Sequence, residues 1–334
     1  DVVGTNPDQI SRAALFEWLD EELQDIISGN NLPGKNNVVA GHVSMGAAKF
    51  LLAKLYLNAE VYTGRAMWND CATVLKDLMD DGYSLHTTSA GVYSPYQELF
   101  LADNDKRTDE IIFAVEQDGV DTQSYGVTNY LVFAFTGGSM VAADLGISSG
   151  WAGCRTTPEF YGKFTAADKR ALFWTDGQTV DVTDFGEFTN GIGFQKYRNM
   201  NADGTPGKAE GFVDIDFPVF RYADVLLMAA ECEAHGAAVD GYAGFNEVRA
   251  RAGLAPIATP TLQEILDERA RELYLELWRR QDLIRAGQFT TNAYIWQWKG
   301  GVHDGQAVED YKNLFPIPTS DMMVNPNLKQ NEGY

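Results

Sequence analysis

Two stretches of this sequence carry the same helical pattern at a constant offset, and that repetition constrains the chain more than any other feature. In the first, Ala47, Ala48, Leu51, Leu52, Leu55, Tyr56 and Ala59 recur at i, i+3, i+4 spacing between about Ser44 and Tyr62. Gly64 ends that run, and Trp68, Ala72, Leu75, Leu78 and Met79 mark a following helix. In the second, Ala223, Leu226, Leu227, Ala230 and Ala234 match Ala48, Leu51, Leu52, Leu55 and Ala59 position for position, before a break and a helix from Tyr242 to Ala252.

Two helix pairs of about 34 residues, with small side chains where helices must approach closely, point to an all-α, tetratricopeptide-like helical-repeat scaffold. Two further helices are expected. Residues 8–28 place Ile10, Ala13, Ala14, Leu15, Trp18, Leu19, Leu23 and Ile26 on a broad apolar stripe. Pro260 or Thr261 opens a long helix through Leu262, Ile265, Leu266, Leu273 and Leu277 to about Arg285, with Gly287 as its stop.

The stretch between these blocks differs in character. Glu110–Glu116 (EIIFAVE) and Tyr130–Phe135 read as short strands, and residues 136–218 are rich in Gly, Thr, Asp and aromatics without sustained periodicity. The expected organisation is therefore a helical part over 1–109, a long irregular loop-rich insertion with short strands over 110–218, and a C-terminal helical part over 219–334, all in one compact unit. Long irregular segments inside a compact protein are usually functional, which directs the search for a site to the insertion.

With 334 residues, 45% of them hydrophobic, the chain has ample material for a core. Its 47 acidic against 26 basic residues give a net charge of -21, which repels a phosphate backbone and argues against a nucleic-acid partner. No run approaches the roughly 18 apolar residues a membrane helix needs, and residues 1–7 lack the charged and apolar regions of a leader. Cys71, Cys154 and Cys232 are odd in number and far apart, a poor fit to a disulfide framework or a zinc cluster. At 12% the aromatic content is generous, and aromatic rings suit sugars, whose C–H faces stack on them.

Four segments carry a family resemblance. The last, LFPIPTSDMMVNPNLKQNEGY (Leu314–Tyr334), resembles the terminal signature of the SusD/RagB family, with its FPIP, NP, QN and GY elements. GAAKFLLAKLYLNAEVY (Gly46–Tyr62), FRYADVLLMAAECE (Phe220–Glu233) and ERARELYLELWRRQDLIRAG (Glu268–Gly287) agree in order. The resemblance implies a non-catalytic, lipid-anchored glycan-binding protein on the outer face of a Gram-negative outer membrane. It implies a SusC-like TonB-dependent transporter as partner. It also implies that the family's N-terminal lipid-modified cysteine and first helices are absent from this chain.

Residues 118–140 and 146–164 look most like the starch-binding subgroup, so α-glucan is the preferred ligand. In that subgroup a tyrosine and a tryptophan from this region help form an aromatic arc, and Tyr125 and Trp151 match the pair. Trp151 lies among Gly146, Gly150 and Gly153, which give a ring little local cover, and Tyr125 lies between Ser124 and Gly126. Arg155 and Asn129 are candidates for hydrogen bonds to hydroxyls, with loop anchoring as the alternative. Trp174, beside Asp168 and Asp176, is a further candidate contact. Trp296 and Trp298, two apart, would share a face of a strand.

Other motifs are weaker. Gly146–Gly150 fits G-x-S-x-G, but no good strand precedes Ser148, no good helix follows, and His235 and His303 lack a matching context. Asn199, Asn201, Asp203, Gly204 and Glu210 follow calcium-loop spacing, yet Pro206 interrupts it and a plain turn reads better. Glu268, Arg269, Arg271, Glu272, Glu276, Arg279 and Arg280 alternate in sign as on a salt-bridged helix. No pair of carboxylates is isolated for acid and nucleophile roles. The expectation is a glycan-binding protein without catalysis, cofactor or metal. A protein-interaction scaffold is the main alternative and a glycoside hydrolase the lesser one.

Overall fold

A computed structural model describes residues 4–39 and 41–334, so the first three residues of the segment read for a leader lie outside it. The chain order is α1 (Arg12–Gly29), α2 (Met45–Leu57), α3 (Ala59–Thr63), α4 (Trp68–Met79), α5 (Pro95–Glu98), β1 (Ile111–Val115), α6 (Val127–Phe133), α7 (Pro158–Tyr161), β2 (Phe173–Trp174) and β3 (Gly193–Phe194). It continues with β4 (Phe217–Arg221), α8 (Tyr222–Ala234), α9 (Gly241–Arg251), α10 (Leu262–Glu272), α11 (Arg279–Arg285) and α12 (Thr319–Val324).

The repeated helix pairs are present. Helix α2 packs on α4, α8 packs on α9, and α4 meets α8, so both pairs share one core. Small side chains permit this closeness: Ala47, Ala53 and Ala59 of the first pair and Ala223, Ala229 and Ala230 of the second are buried. Side-chain caps fix the starts, with Ser11, Ser44 and Thr261 each accepting a first-turn N–H and Thr261 completing a capping box with Glu264.

Helix α1 departs from its expected stripe. It buries Phe16 and Leu23 but leaves Leu15, Trp18 and Ile26 exposed, because only one of its sides lies against α2 and α3.

The middle of the chain contributes two small antiparallel sheets. Strands β1 and β4 pair with Val115 opposite Phe217, tying the start of the insertion to its end, and β2 pairs with β3. A second core of Tyr96, Phe100, Phe133, Phe194, Tyr197, Ile215 and Tyr274 lies beneath the irregular segments. The expected strand at Tyr130–Phe135 is instead the end of α6. Its apolar run fits either period, and burial at Thr128, Asn129, Val132 and Phe133 shows the i, i+4 pairing of a helix.

The long helix expected to reach Arg285 is broken between α10 and α11. Leu275 and Leu277 there have φ of 61° and 69°. Buried side chains take over the backbone: the Glu272 carbonyl accepts from the Tyr96 hydroxyl at 2.7 Å and the Tyr274 carbonyl from Lys196 Nζ at 2.5 Å. The Glu276 carboxylate meanwhile receives Lys196 Nζ at 2.6 Å and Arg221 Nε at 2.7 Å. The charges that alternate in sign as on a salt-bridged helix are in large part buried, with Glu268, Arg269, Glu272 and Glu276 all at 2% exposure or less.

Candidate glycan-binding platform

Helix α6 is the base of the site. Thr128 Oγ1 donates to the Ile215 carbonyl at 2.6 Å, and Asn129 Oδ1 accepts the Val213 N–H at 3.1 Å. These two bonds dock the segment carrying Phe212 against α6. After the helix turns, residues 151–154 run beside residues 133–136: Trp151 N–H donates to the Phe133 carbonyl at 2.7 Å, Ala152 N–H to Thr136 at 2.9 Å, and Cys154 N–H to Ala134 at 2.7 Å. This approach needs Gly150, where a Cβ would come within 2.1 Å of the Thr136 carbonyl oxygen. The glycines around Trp151 thus act by letting backbones approach, and the indole is left at the surface.

Five rings gather there. The Trp151 ring centroid lies 5.3 Å from Phe133, 6.2 Å from Tyr130 and 6.3 Å from Tyr125. Phe212 lies 5.1 Å from Tyr125. Phe133 is buried and backs the indole, whereas Tyr125 is 70%, Tyr130 46% and Trp151 41% exposed. The Tyr125 and Tyr130 planes tilt from the Trp151 plane by 46° and 60°, so the exposed faces do not lie in one plane. Tyr130 Oη lies 3.3 Å from Cys154 Sγ, and this hydrogen bond raises the phenol pKa.

Donor use separates this group from the other candidates. Among the described residues, neither Trp151 Nε1 nor the Tyr125 hydroxyl has a hydrogen-bond partner, so both remain open to a ligand. Trp174 Nε1, by contrast, donates to Ser139 Oγ at 2.9 Å and to the Asp176 carbonyl at 3.1 Å. Trp174 sits on β2 and shares no ring contact with the platform among the described residues.

The structure therefore brings Tyr125 and Trp151 together and leaves Arg155, Asn129 and Trp174 in other roles. Asn129 is 1% exposed, with its carbonyl committed to Val213. Arg155 spends its guanidinium on the carbonyls of Gly153, Phe185, Glu187 and Asn190, fastening the 185–190 loop, and partial burial lowers its pKa. Tyr130 and Phe212 were missed from the sequence. The sequence pattern places Tyr130 on a strand, and Phe212 reaches Tyr125 through the long-range Thr128–Ile215 and Asn129–Val213 bonds.

The remaining motifs resolve into structure. Ser148 follows a 3-10 turn and the left-handed Gly146, and its Oγ donates to the Glu210 carbonyl at 3.4 Å. His235 stacks on Trp68, and His303 lies between Asp181 and Asp304. Asn199 is buried, its Oδ1 accepting the Asp214 N–H and its Nδ2 donating to Gly146 and Ala209, which makes 199–210 a hydrogen-bonded turn. Trp296 and Trp298 do not share a strand face: Trp298 has φ of 67° and donates Nε1 to Val182.

A family profile described as the SusD family matches residues 169–334. A protein from Bacteroides thetaiotaomicron named starch-binding protein SusD is 34% identical over 96% of this chain and 65% of its own length. The chain is similar to the SusD family, most directly over residues 169–334. It spans just under two thirds of that relative. The fold agrees: a surface glycan-binding protein A from Bacteroides fluxus superposes with a TM-score of 0.75 at 21% identity, covering 98% of this chain and 71% of that one. Another surface glycan-binding protein A, from Bacteroides thetaiotaomicron in complex with laminarihexaose, gives 0.72 at 20% identity, covering 97% and 72%.

Proposed function

We propose that this SusD-like chain captures a glycan without transforming it, on the platform of Tyr125, Trp151 and Tyr130. The observation that carries the reading is the pairing of exposed, mutually tilted rings with the unengaged Trp151 Nε1 and Tyr125 hydroxyl. Rings offer stacking faces to sugar C–H groups, and the free donors reach hydroxyls. A non-planar set of faces suits a curved chain better than a flat ribbon.

Substrate and setting follow the relatives. The 34% identity to a protein named starch-binding supports an α-glucan. Delivery to a SusC-like TonB-dependent transporter, lipid anchoring at the outer face of the outer membrane, and the tetratricopeptide-like character of the helix pairs belong to the same proposal. Each contact competes with water, so affinity is modest. A panel of immobilised α- and β-glucans tests the reading: retention by an α-glucan is expected, and retention by none would remove the substrate assignment.

A protein-interaction role is favoured by one separate observation. Leu15, Leu19 and Leu23 of α1, with Leu51, Leu55 and Trp278, line an apolar cavity of about 310 Å³. Stable association with a β-barrel partner together with no glycan retention would make that role the primary one.

A further inference from the structure

A second place combines aromatic faces with unused donors, far from the platform in sequence. A cavity of about 340 Å³ lies between the chain after α11 and the C-terminal segment, with Arg280, Phe289, Trp296, Lys299, Phe315 and Tyr334 in its walls.

Its charge runs against the rest of the molecule. The chain has 47 acidic and 26 basic residues, yet among the described residues neither Arg280 nor Lys299 has a carboxylate within 4 Å. Among the described residues Arg280 donates only through Nη2, to the Lys312 and Asn313 carbonyls at 3.0 and 3.1 Å. Lys299 Nζ donates to the carbonyls of Thr291, Tyr294 and Gln288 at 2.6, 2.7 and 3.4 Å. These acceptors are neutral, so among the described residues neither cation is held in an ion pair. The third cation, Lys312, is paired with Glu309 at 3.1 Å.

The aromatic rings hold these cations in place. The Arg280 guanidinium carbon lies 4.0 Å from the Phe315 centroid and 4.9 Å from that of Phe289. Lys299 Nζ lies 4.6 Å from the Trp296 centroid. Stacking orients the guanidinium and, among the described residues, leaves Nε and Nη1 without partners, so that either can give a carboxylate a single charge-assisted hydrogen bond. Phe315 is 70% exposed and offers its ring to a ligand.

We propose that this cavity is a second saccharide site, selective for a carboxylate-bearing sugar ring of the uronic-acid class. Phe315 and Trp296 supply stacking faces, Arg280 binds the carboxylate, and Lys299 holds positive charge beneath the indole. The net charge of -21 repels dense polyanions at long range, so the site takes a short acidic segment rather than a highly charged polymer.

The test is calorimetric titration with α-1,4-linked trigalacturonate, using maltotriose as the neutral comparison. Trigalacturonate is expected to bind wild type more tightly than maltotriose, to lose at least tenfold in affinity in Arg280→Gln and in Phe315→Ala, and to bind Trp151→Ala as well as wild type. Arg280 also holds two backbone carbonyls, so the exposed Phe315 keeps the test decisive if Arg280→Gln misfolds. No binding of trigalacturonate, undiminished binding in Phe315→Ala, or loss in Trp151→Ala overturns the proposal. Because maltooligosaccharide binding is read separately at Trp151, either site can fail without the other.

Discussion

Trp151 is joined to Phe133 twice: its backbone N–H donates to the Phe133 carbonyl at 2.7 Å, and the two rings lie 5.3 Å apart. One residue of the helix end thus sets both the height and the backing of the exposed indole. The platform stands on α6 and the segment α6 docks, and the stability of that docking is separable from the stacking surface itself.

Asn129 carries the docking. Asn129→Ala leaves the Val213 N–H buried without its acceptor, which costs about 1–3 kcal/mol. Urea denaturation is expected to show that loss, and an unchanged midpoint would show that Asn129 does not pin the segment.

Leu277 makes an opposite prediction. It holds φ of 69° while 78% exposed, so its side chain does little to repay a left-handed backbone. Leu277→Gly is expected to stabilise the chain by about 1 kcal/mol, read as a higher thermal midpoint. A lower midpoint would mean that the leucine contributes more than it strains.

The buried charges predict a large loss. Glu272 receives Arg221 Nη1 at 3.0 Å, Arg251 Nη2 at 2.5 Å and Arg170 Nη1 at 3.2 Å. Burial works against its ionisation, but Arg251, Arg221 and Arg170 prevail and hold its pKa well below the usual carboxylate range. Glu272→Gln leaves three arginines short of a counter-charge and is expected to cost about 3–5 kcal/mol by chemical denaturation. With a folded pKa depressed below the unfolded one, the Glu272 contribution is present above about pH 4.3 and is lost as pH falls through the folded value.

Asp216 has the reverse sign. Burial raises its pKa to about 6, despite the Gln117 N–H on its carboxylate at 2.9 Å. The folded state then binds more protons than the unfolded between about pH 4 and 6, so this group's contribution falls as pH rises through that window. Asp216→Asn is expected to be more stable than wild type by about 1–3 kcal/mol at pH 8, with the gain vanishing near pH 4. A gain independent of pH would contradict the assignment.

The helix pairs were legible because Ala48, Leu52, Ala223 and Leu227 repeat with both period and offset, and local periodicity survives into packing. The break after α10 was not, since Leu273–Trp278 contains neither Gly nor Pro and is imposed by Tyr96 and Lys196 from distant segments. The apolar run at Tyr130–Phe135 is too short for its period to decide between strand and helix. At the site, Tyr125 and Trp151 were singled out by the resemblance to the starch-binding subgroup, with their glycine-flanked positions in support. The roles of Asn129 and Arg155 depend on partners in remote segments, which no local pattern specifies.

The central claim rests on Trp151. Isothermal titration of maltoheptaose into wild type and Trp151→Ala tests it most directly, with thermal melts confirming that both are folded. The expected result is measurable binding by wild type and a loss of tenfold or more in the variant, about 1.4 kcal/mol or greater. Equal affinities for the two folded proteins would contradict the platform as the glycan site.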